Sequence, residues 1–345
     1  MSGAIKKVRF GVVGTNFITD WVLAGAAADE RFELTAVCSR SLETARSFAA
    51  KYGASHLFTS VEDMARSPHV DAVYIASPNF MHASQALECM RHGKHVLCEK
   101  PLASNAVEVR AMIDASQRYD VALMEAMKTT LTPNFRKVME LMPAVGQVRR
   151  YFSSYCQYSS RYDRFKAGEL PNAFNPAMSN GAIMDIGVYT IYPMVVLFGR
   201  PDRVMASGLL LSSGADGQGS AVFRYPEFDA VVLYSKISDS MLESEIQGES
   251  GTLTIDRINR MGCITFAPHV ANGAGGAARD FERQPMTCEV DAGTNDYRYE
   301  ITEFIDLVIG HRRQSDINSH ENSLITMEIV DEIRRQIGVR FPADK

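Results

Sequence analysis

A chain of 345 residues, 46% hydrophobic and 22% charged, has an ordinary globular composition and exceeds the size at which one core stops growing, so two domains are expected. A formal charge of -5, with lysines and arginines scattered and no basic run, excludes a nucleic-acid or anionic-membrane surface as the main partner. Cys38, Cys89, Cys98, Cys156, Cys263 and Cys288 form no Cys-x-x-Cys pair and no metal-like spacing, which predicts reduced thiols, no metal and a cytoplasmic setting. The N-terminus enters a strand without the apolar core of a signal peptide, and no stretch reaches the roughly 18 apolar residues of a membrane helix.

In chain order, Val8 to Val13, Leu34 to Val37, Ala72 to Ile75, His95 to Leu97 and Val121 to Met124 read as short strands. Between them, Ala45, Phe48, Ala49 and Tyr52 fall at helical spacing with Gly53 in the C-terminal cap position, and Ala83, Ala86, Leu87 and Met90 repeat that spacing before Gly93. Strands alternating with helices predict a doubly wound parallel sheet, the Rossmann arrangement, over residues 1–127. From 128 to 345 longer strands follow one another: Val148 to Tyr158, Met205 to Leu211, Ser220 to Tyr225, Ala230 to Ile237, Glu243 to Gln247 and Thr252 to Ile255. They predict a mostly antiparallel sheet, so the chain as a whole is α/β. A helix from Gly181 to Phe198, apolar almost all round, should be buried and kinked by Pro193. The small residues from Val270 to Ala278 read as a flexible loop, and helices from about Tyr297 to Ile309 and Leu324 to Ile337 close the chain.

The first strand runs through Gly11 into Gly14, Thr15, Asn16, Phe17, Ile18 and Thr19, where a helix should begin and offer its positive end to a pyrophosphate. Against the pattern G-x-G-x-x-G only Gly14 matches, with Asn16 and Thr19 in the other glycine positions. Asn16 tolerates a left-handed φ and its amide can donate to phosphate, while Thr19 need only pack. A plain tight turn is the alternative. The second strand ends at Ser39 and Arg40 without the carboxylate that holds a ribose 2′-hydroxyl; both suit a 2′-phosphate and favour NADP over NAD. Arg40 also reads as an exposed helix-entry arginine.

Of the histidines His82, His92 and His95, His82 follows Ser77, Pro78 and Asn79 at a strand end and is the candidate for cofactor contact. The run from Gly93 to Pro101 ends a strand with Glu99, Lys100 and Pro101, placing an amine where such sheets present their ligands. Asp185 and Tyr189, four residues apart on an apolar helix, share one face and read as a core hydrogen bond or as a site. A lysine beside Tyr189 would favour the phenolate and make it a proton carrier at neutral pH. No G-x-S-x-G elbow or Walker loop is present, which sets aside a serine hydrolase and an NTPase.

The segments Gly11 to Thr19, Ala76 to Asn79, Gly93 to Pro101, Met124-Glu125-Ala126 and Gly181 to Tyr189, in that order over nearly the whole chain, resemble the Gfo/Idh/MocA oxidoreductase family. The resemblance implies NAD(P), a small-molecule substrate, and hydride transfer at a hydroxyl-bearing carbon of a sugar, polyol or cyclic diol. It also implies that Glu99 meets the nicotinamide-side ribose, Lys100 polarises the substrate oxygen, Tyr189 exchanges its proton and Asp185 orients them. The loop from Arg161 to Ser179 would line the pocket, and the exposed face of the second sheet would make a homodimer or homotetramer. Tyr189 stands where many members hold histidine, which is similar to the dihydrodiol dehydrogenase and glucose-fructose oxidoreductase branches and turns the expectation away from inositol dehydrogenases. A non-catalytic sugar-sensing regulator and an NAD-assisted glycosidase are the alternatives of the same fold.

Overall fold

The computed structural model describes residues 6–269, 284–286 and 295–345. Cys288 and the loop expected from Val270 to Ala278 lie outside the described residues. Two compact units are present: residues 1–128, 293–327 and 343–345 form the first, and 129–292 with 328–342 form the second.

The first unit is built on β1 (Val8–Val13), β2 (Phe32–Cys38), β3 (His56–Phe58), β4 (Ala72–Ile75), β5 (His95–Glu99) and β6 (Leu123–Ala126), all parallel, in the order β3-β2-β1-β4-β5-β6. The order reverses between β1 and β4, so the turns after these strands open a crevice at the carboxyl edge. Helices α1 (Phe17–Ala26), α2 (Leu42–Tyr52), α3 (Val61–Arg66), α4 (His82–Arg91) and α5 (Ala106–Tyr119) supply the crossovers. Their starts are chemically marked: Asn16, Ser41, Ser60 and Asn105 each accept backbone N–H groups of the first turn. Gly53 ends α2 at φ 76°, as its position predicts. β6 starts two residues later than expected, because the Val121 N–H still bonds Ser116 O at the end of α5, and ends two residues later, because Glu125 and Ala126 pair with Cys98 and Glu99 of β5.

In the second unit α6 (Pro133–Val145), β7 (Val148–Cys156), α7 (Tyr162–Lys166), α8 (Val188–Phe198), β8 (Arg203–Leu210), β9 (Asp216–Arg224), β10 (Asp229–Ser235), β11 (Ser244–Gly248), β12 (Gly251–Ile255), β13 (Ile264–Pro268) and β14 (Gln284–Met286) follow in order. Its sheet runs β14-β13-β12-β11-β7-β10-β9-β8, with β7 and β10 parallel and every other pair antiparallel. On one face Met205, Val222, Val231 and Phe152 stand side by side across four strands, with Met205 44% and Val222 37% exposed.

Two expectations change. The last helices, α9 (Tyr297–Ile309) and α10 (His320–Ile337), do not follow the division at 127/128, since residues 293–327 pack with the first unit. Gly25 explains this: on α1 its missing side chain admits the α9 backbone, and a Cβ there would lie 2.8 Å from Arg298 N. Phe304 of α9 then reaches the Phe10 ring at 5.9 Å. The helix expected over 181–198 begins instead with a π-helical turn, Ile183–Gly187, before α8, which continues through Pro193. The segment Pro176–Phe198 also has the length and mean hydropathy, 1.6, of a membrane span, which the sequence reading overlooked; 72% of its apolar window is buried in the protein, and it is a core element.

Candidate active site

The nucleotide turn is built on Gly14, whose φ of 98° suits glycine and where a Cβ would sit 2.6 Å from Ala76 O. Its N–H bonds Cys38 O and its carbonyl accepts the Thr19 hydroxyl at 2.9 Å, so Thr19, fully buried, packs where a third glycine is usual. Asn16 departs from expectation. It is extended (φ -94°, ψ 177°), its Oδ1 takes the N–H groups of Ile18 and Thr19, and its Nδ2 donates to Ala76 O at 2.8 Å. Its amide ties the α1 N-terminus to the end of β4, which uses Oδ1 and one of the two Nδ2 hydrogens. Thr15 and Ser39 bring their hydroxyls within 3.3 Å, and Arg40 is exposed beside them. Phe17 is exposed and Ile18 half-buried in the first turn of α1. A pyrophosphate fits this turn: Gly14 lets the chain fold tightly against the end of β4, and the dipole at the start of α1 favours the charge.

After β4, Ser77 donates to Gln85 Oε1 at 2.7 Å, while Pro78 and Asn79 start the turn that leads into α4. His82 is fully buried, its Nδ1 3.0 Å from Pro101 O and its Nε2 2.8 Å from Ser77 O, and burial lowers its pKa. That departs from the expected cofactor contact: with both ring nitrogens against backbone carbonyls, His82 links the segments that follow β4 and β5.

At the end of β5, Glu99 accepts the Tyr74 hydroxyl at 2.6 Å and the Lys100 N–H at 3.2 Å, ahead of the cis Lys100–Pro101 peptide. Burial raises the Glu99 pKa against the pull of Tyr74 and Lys100. Two further carboxyls surround it that the sequence reading did not single out by role. Glu125 is buried in β6, accepts the Leu102 N–H at 3.0 Å, and is pushed up to about 7, mainly by burial. Glu300 on α9 is fully buried with neither carboxyl oxygen hydrogen-bonded among the described residues, and burial, then the charge of Glu99, holds it well above the usual range. A carboxylate inside the apolar run Leu123-Met124-Glu125-Ala126 was the available signal for Glu125; Glu300 sits on the apolar face of its helix, visible only once the phase of α9 is known.

In the second unit, every residue from Gly181 to Thr190 is buried except Asp185 and Tyr189, which share the accessible stripe. The π-turn that presents them is set by Asp216, buried, whose Oδ2 accepts the Ile183 N–H at 2.7 Å and whose pKa burial raises to about 6. Gly187 lets this turn lie against Tyr234, 3.1 Å from where a Cβ would be. Tyr189 meets the Tyr155 ring edge-on at 5.7 Å. Asp185 Oδ2 receives the ammonium of Lys236 at 2.5 Å, a partner absent from the sequence reading because a lysine just past a strand reads as solvated. Thus Gly14, Thr15, Ser39, Ser77, Glu99 and Lys100 lie at the carboxyl edge of one sheet, and Asp185 and Tyr189 belong to the other unit. Elsewhere Glu62, Glu88 and His92 bring ligand atoms within 4.8 Å of one another, but Glu88 already bonds Arg91 and His92.

Residues 8–127 match the family model of the GFO/IDH/MocA oxidoreductases with an NAD-binding Rossmann fold, and residues 135–254 match the GFO/IDH/MocA C-terminal domain. The chain is 48% identical to scyllo-inositol 2-dehydrogenase (NADP(+)) IolU of Bacillus subtilis, over 98% of this chain and 99% of that one. It is 31% identical to trans-1,2-dihydrobenzene-1,2-diol dehydrogenase of Danio rerio, over 91% and 92%. Among solved structures, levoglucosan dehydrogenase in complex with NADH and levoglucosan shares the fold at a TM-score of 0.83 and 19% identity, covering 96% of this chain and 97% of that one. KijD10, a 3-ketoreductase from Actinomadura kijaniata in complex with TDP-benzene and NADP, shares it at 0.78 and 21%, covering 96% and 98%.

Proposed function

Because the chain belongs to the Gfo/Idh/MocA oxidoreductase family, we propose that it is an NAD(P)-dependent dehydrogenase, favouring NADP, that acts on a hydroxyl-bearing carbon of a cyclic polyol, sugar or cyclic diol. The observation that supports this most is the strand-edge set Gly14, Ser39, Glu99 and Lys100, gathered at the reversal of strand order where doubly wound sheets bind dinucleotides. The name borne by the 48% identical relative supports a cyclic polyol as the first substrate to test, so Tyr189 is no ground for setting inositols aside.

When bound, the nicotinamide supplies the hydride acceptor or donor. The chain's own residues do the rest. The Gly14 turn holds the pyrophosphate against α1, and Ser39 with Arg40 takes a 2′-phosphate. Glu99, already oriented by Tyr74, accepts a ribose hydroxyl. Lys100 donates a hydrogen bond to the substrate oxygen, Tyr189 takes or returns the hydroxyl proton, and Asp185 orients the pair. The protein works in the cytoplasm, consistent with Cys38, Cys89, Cys98, Cys156 and Cys263 all being free thiols, and it assembles as a homo-oligomer through the sheet face bearing Met205 and Val222.

The test is a titration with NADPH and NADH followed by nicotinamide fluorescence, then incubation with inositols, sugars and diols or their ketones. Tight NADPH binding with turnover of a cyclic polyol is expected. Binding without turnover moves the reading to a sensor, and failure of folded protein to bind either nucleotide overturns it. Lys100→Ala and Tyr189→Phe should each lower kcat roughly a hundredfold or more, with nucleotide affinity within a few fold. Equal loss of nucleotide binding would assign both residues to structure.

A further inference from the structure

Lys236 follows β10 directly, and its backbone is stitched on both sides: its N–H donates to Gly217 O at 2.9 Å and its carbonyl accepts the Ser159 N–H at 2.9 Å. The side chain is only 3% exposed. Its ammonium donates to Asp185 Oδ2 at 2.5 Å and to Ala173 O at 3.2 Å, and lies 5.0 Å from the centroid of the Phe174 ring. A buried ammonium is tolerated when a carboxylate and further acceptors surround it, and this one has a carboxylate, a carbonyl and an aromatic face. Two elements therefore converge on one charge. The first is the π-turn that presents Asp185 beside Tyr189. The second is the end of the loop from Arg161 to Ser179, whose Tyr162, Phe165 and Phe174 rings cluster at centroid distances of 5.3 to 6.1 Å.

We propose that Lys236 is a positioning residue: it fixes the Asp185 carboxylate and clamps the Ala173–Phe174 end of the aromatic loop to it, so that the reactive turn and the loop are set by one ion pair. This rests on the dehydrogenase reading for the role of Asp185. Lys236, buried behind Asp185, acts on turnover through that carboxylate and not by touching substrate.

The test is a double-mutant cycle of Lys236→Met and Asp185→Asn, read in kcat on a substrate that the unmodified protein turns over. Lys236→Met should lower kcat roughly a hundredfold, the scale set by small misplacements of a reacting group. If it acts through Asp185, the double variant is no slower than Asp185→Asn alone; multiplying losses overturn the proposal. Each single variant strands one charge of the ion pair, Asp185→Asn the more deeply buried one, so should either fail to fold, the double variant, which carries neither charge, is read against the unmodified protein by cleavage. A tenfold slower double variant counts against the proposal. A readout independent of turnover is tryptic cleavage at the exposed Arg161, Arg164 and Lys166, which should quicken in the double variant relative to the unmodified protein. An unchanged cleavage rate removes the loop clamp even if the dehydrogenase reading stands, and no turnover with quickened cleavage does the reverse.

Discussion

Ser39 and Arg40 are the residues through which we propose that the chain discriminates between the two nicotinamide dinucleotides. Neither is a carboxylate, the Ser39 hydroxyl is steered toward Thr15 at the nucleotide turn, and Arg40 stands exposed at the entry to α2. Converting Ser39→Asp with Arg40→Ala exchanges a 2′-phosphate partner for a 2′-hydroxyl partner. The ratio of kcat/KM for NADP over NAD should fall by roughly ten- to a hundredfold, the value of one or two charge-assisted hydrogen bonds. An unmoved ratio sinks the assignment. At this scale the sequence is legible where a residue's role follows from its neighbours in the chain: Glu99 and Lys100 end a strand, and Gly14 ends another. It is illegible where a polar atom is spent on a distant backbone. Asn16 bonds Ala76 O and His82 bonds Pro101 O across 60 and 19 residues, and no local pattern reports that these side chains are already engaged.

Among the elements, β6 carries the clearest pH signature. Its pattern is buried throughout, and Glu125 within it is held up to about 7 by that burial against an ordinary value of 4.5. Between those values the folded chain binds a proton that the unfolded chain has released. The contribution of Glu125 to stability is therefore fully present below about pH 4.5 and is lost as pH rises through about 7. Glu125→Gln keeps an oxygen for the Leu102 N–H and removes the titration. Melting of both proteins at about pH 5 and about pH 8 should show the unmodified protein losing ground to the variant at the higher pH; a constant difference would contradict a raised Glu125. Most strands of both sheets were readable because β-branched runs bounded by turns need only local information, whereas β3, β13 and β14, short or weakly apolar, were not. The π-turn at Ile183–Gly187 was not, because it depends on the Asp216 carboxylate reaching Ile183 N from β9, 33 residues away.

For the whole molecule, the apolar row of Met205, Val222, Val231 and Phe152 is the surface on which the proposed homo-oligomer is tested. Val222→Lys should convert the assembly to a smaller species in light scattering coupled to size exclusion while leaving the fold intact; a monomeric unmodified protein rules the surface out. The first change of unit, at 128/129, lies one residue from the expected 127/128, where the pattern of alternation stops. The return of residues 293–327 to the first unit was not legible, since it rests on a small residue, Gly25, admitting a helix that begins at Tyr297, far along the chain. That discontinuity orders the birth of the protein. A chain emerging from the ribosome has delivered β1 to β6 long before α9 exists, so Phe10 and the Gly25 face of α1 wait uncovered while the strands from β7 to β14, contiguous in sequence, are already complete enough to pair. The unit that is started first is sealed by a helix made after every strand of the other.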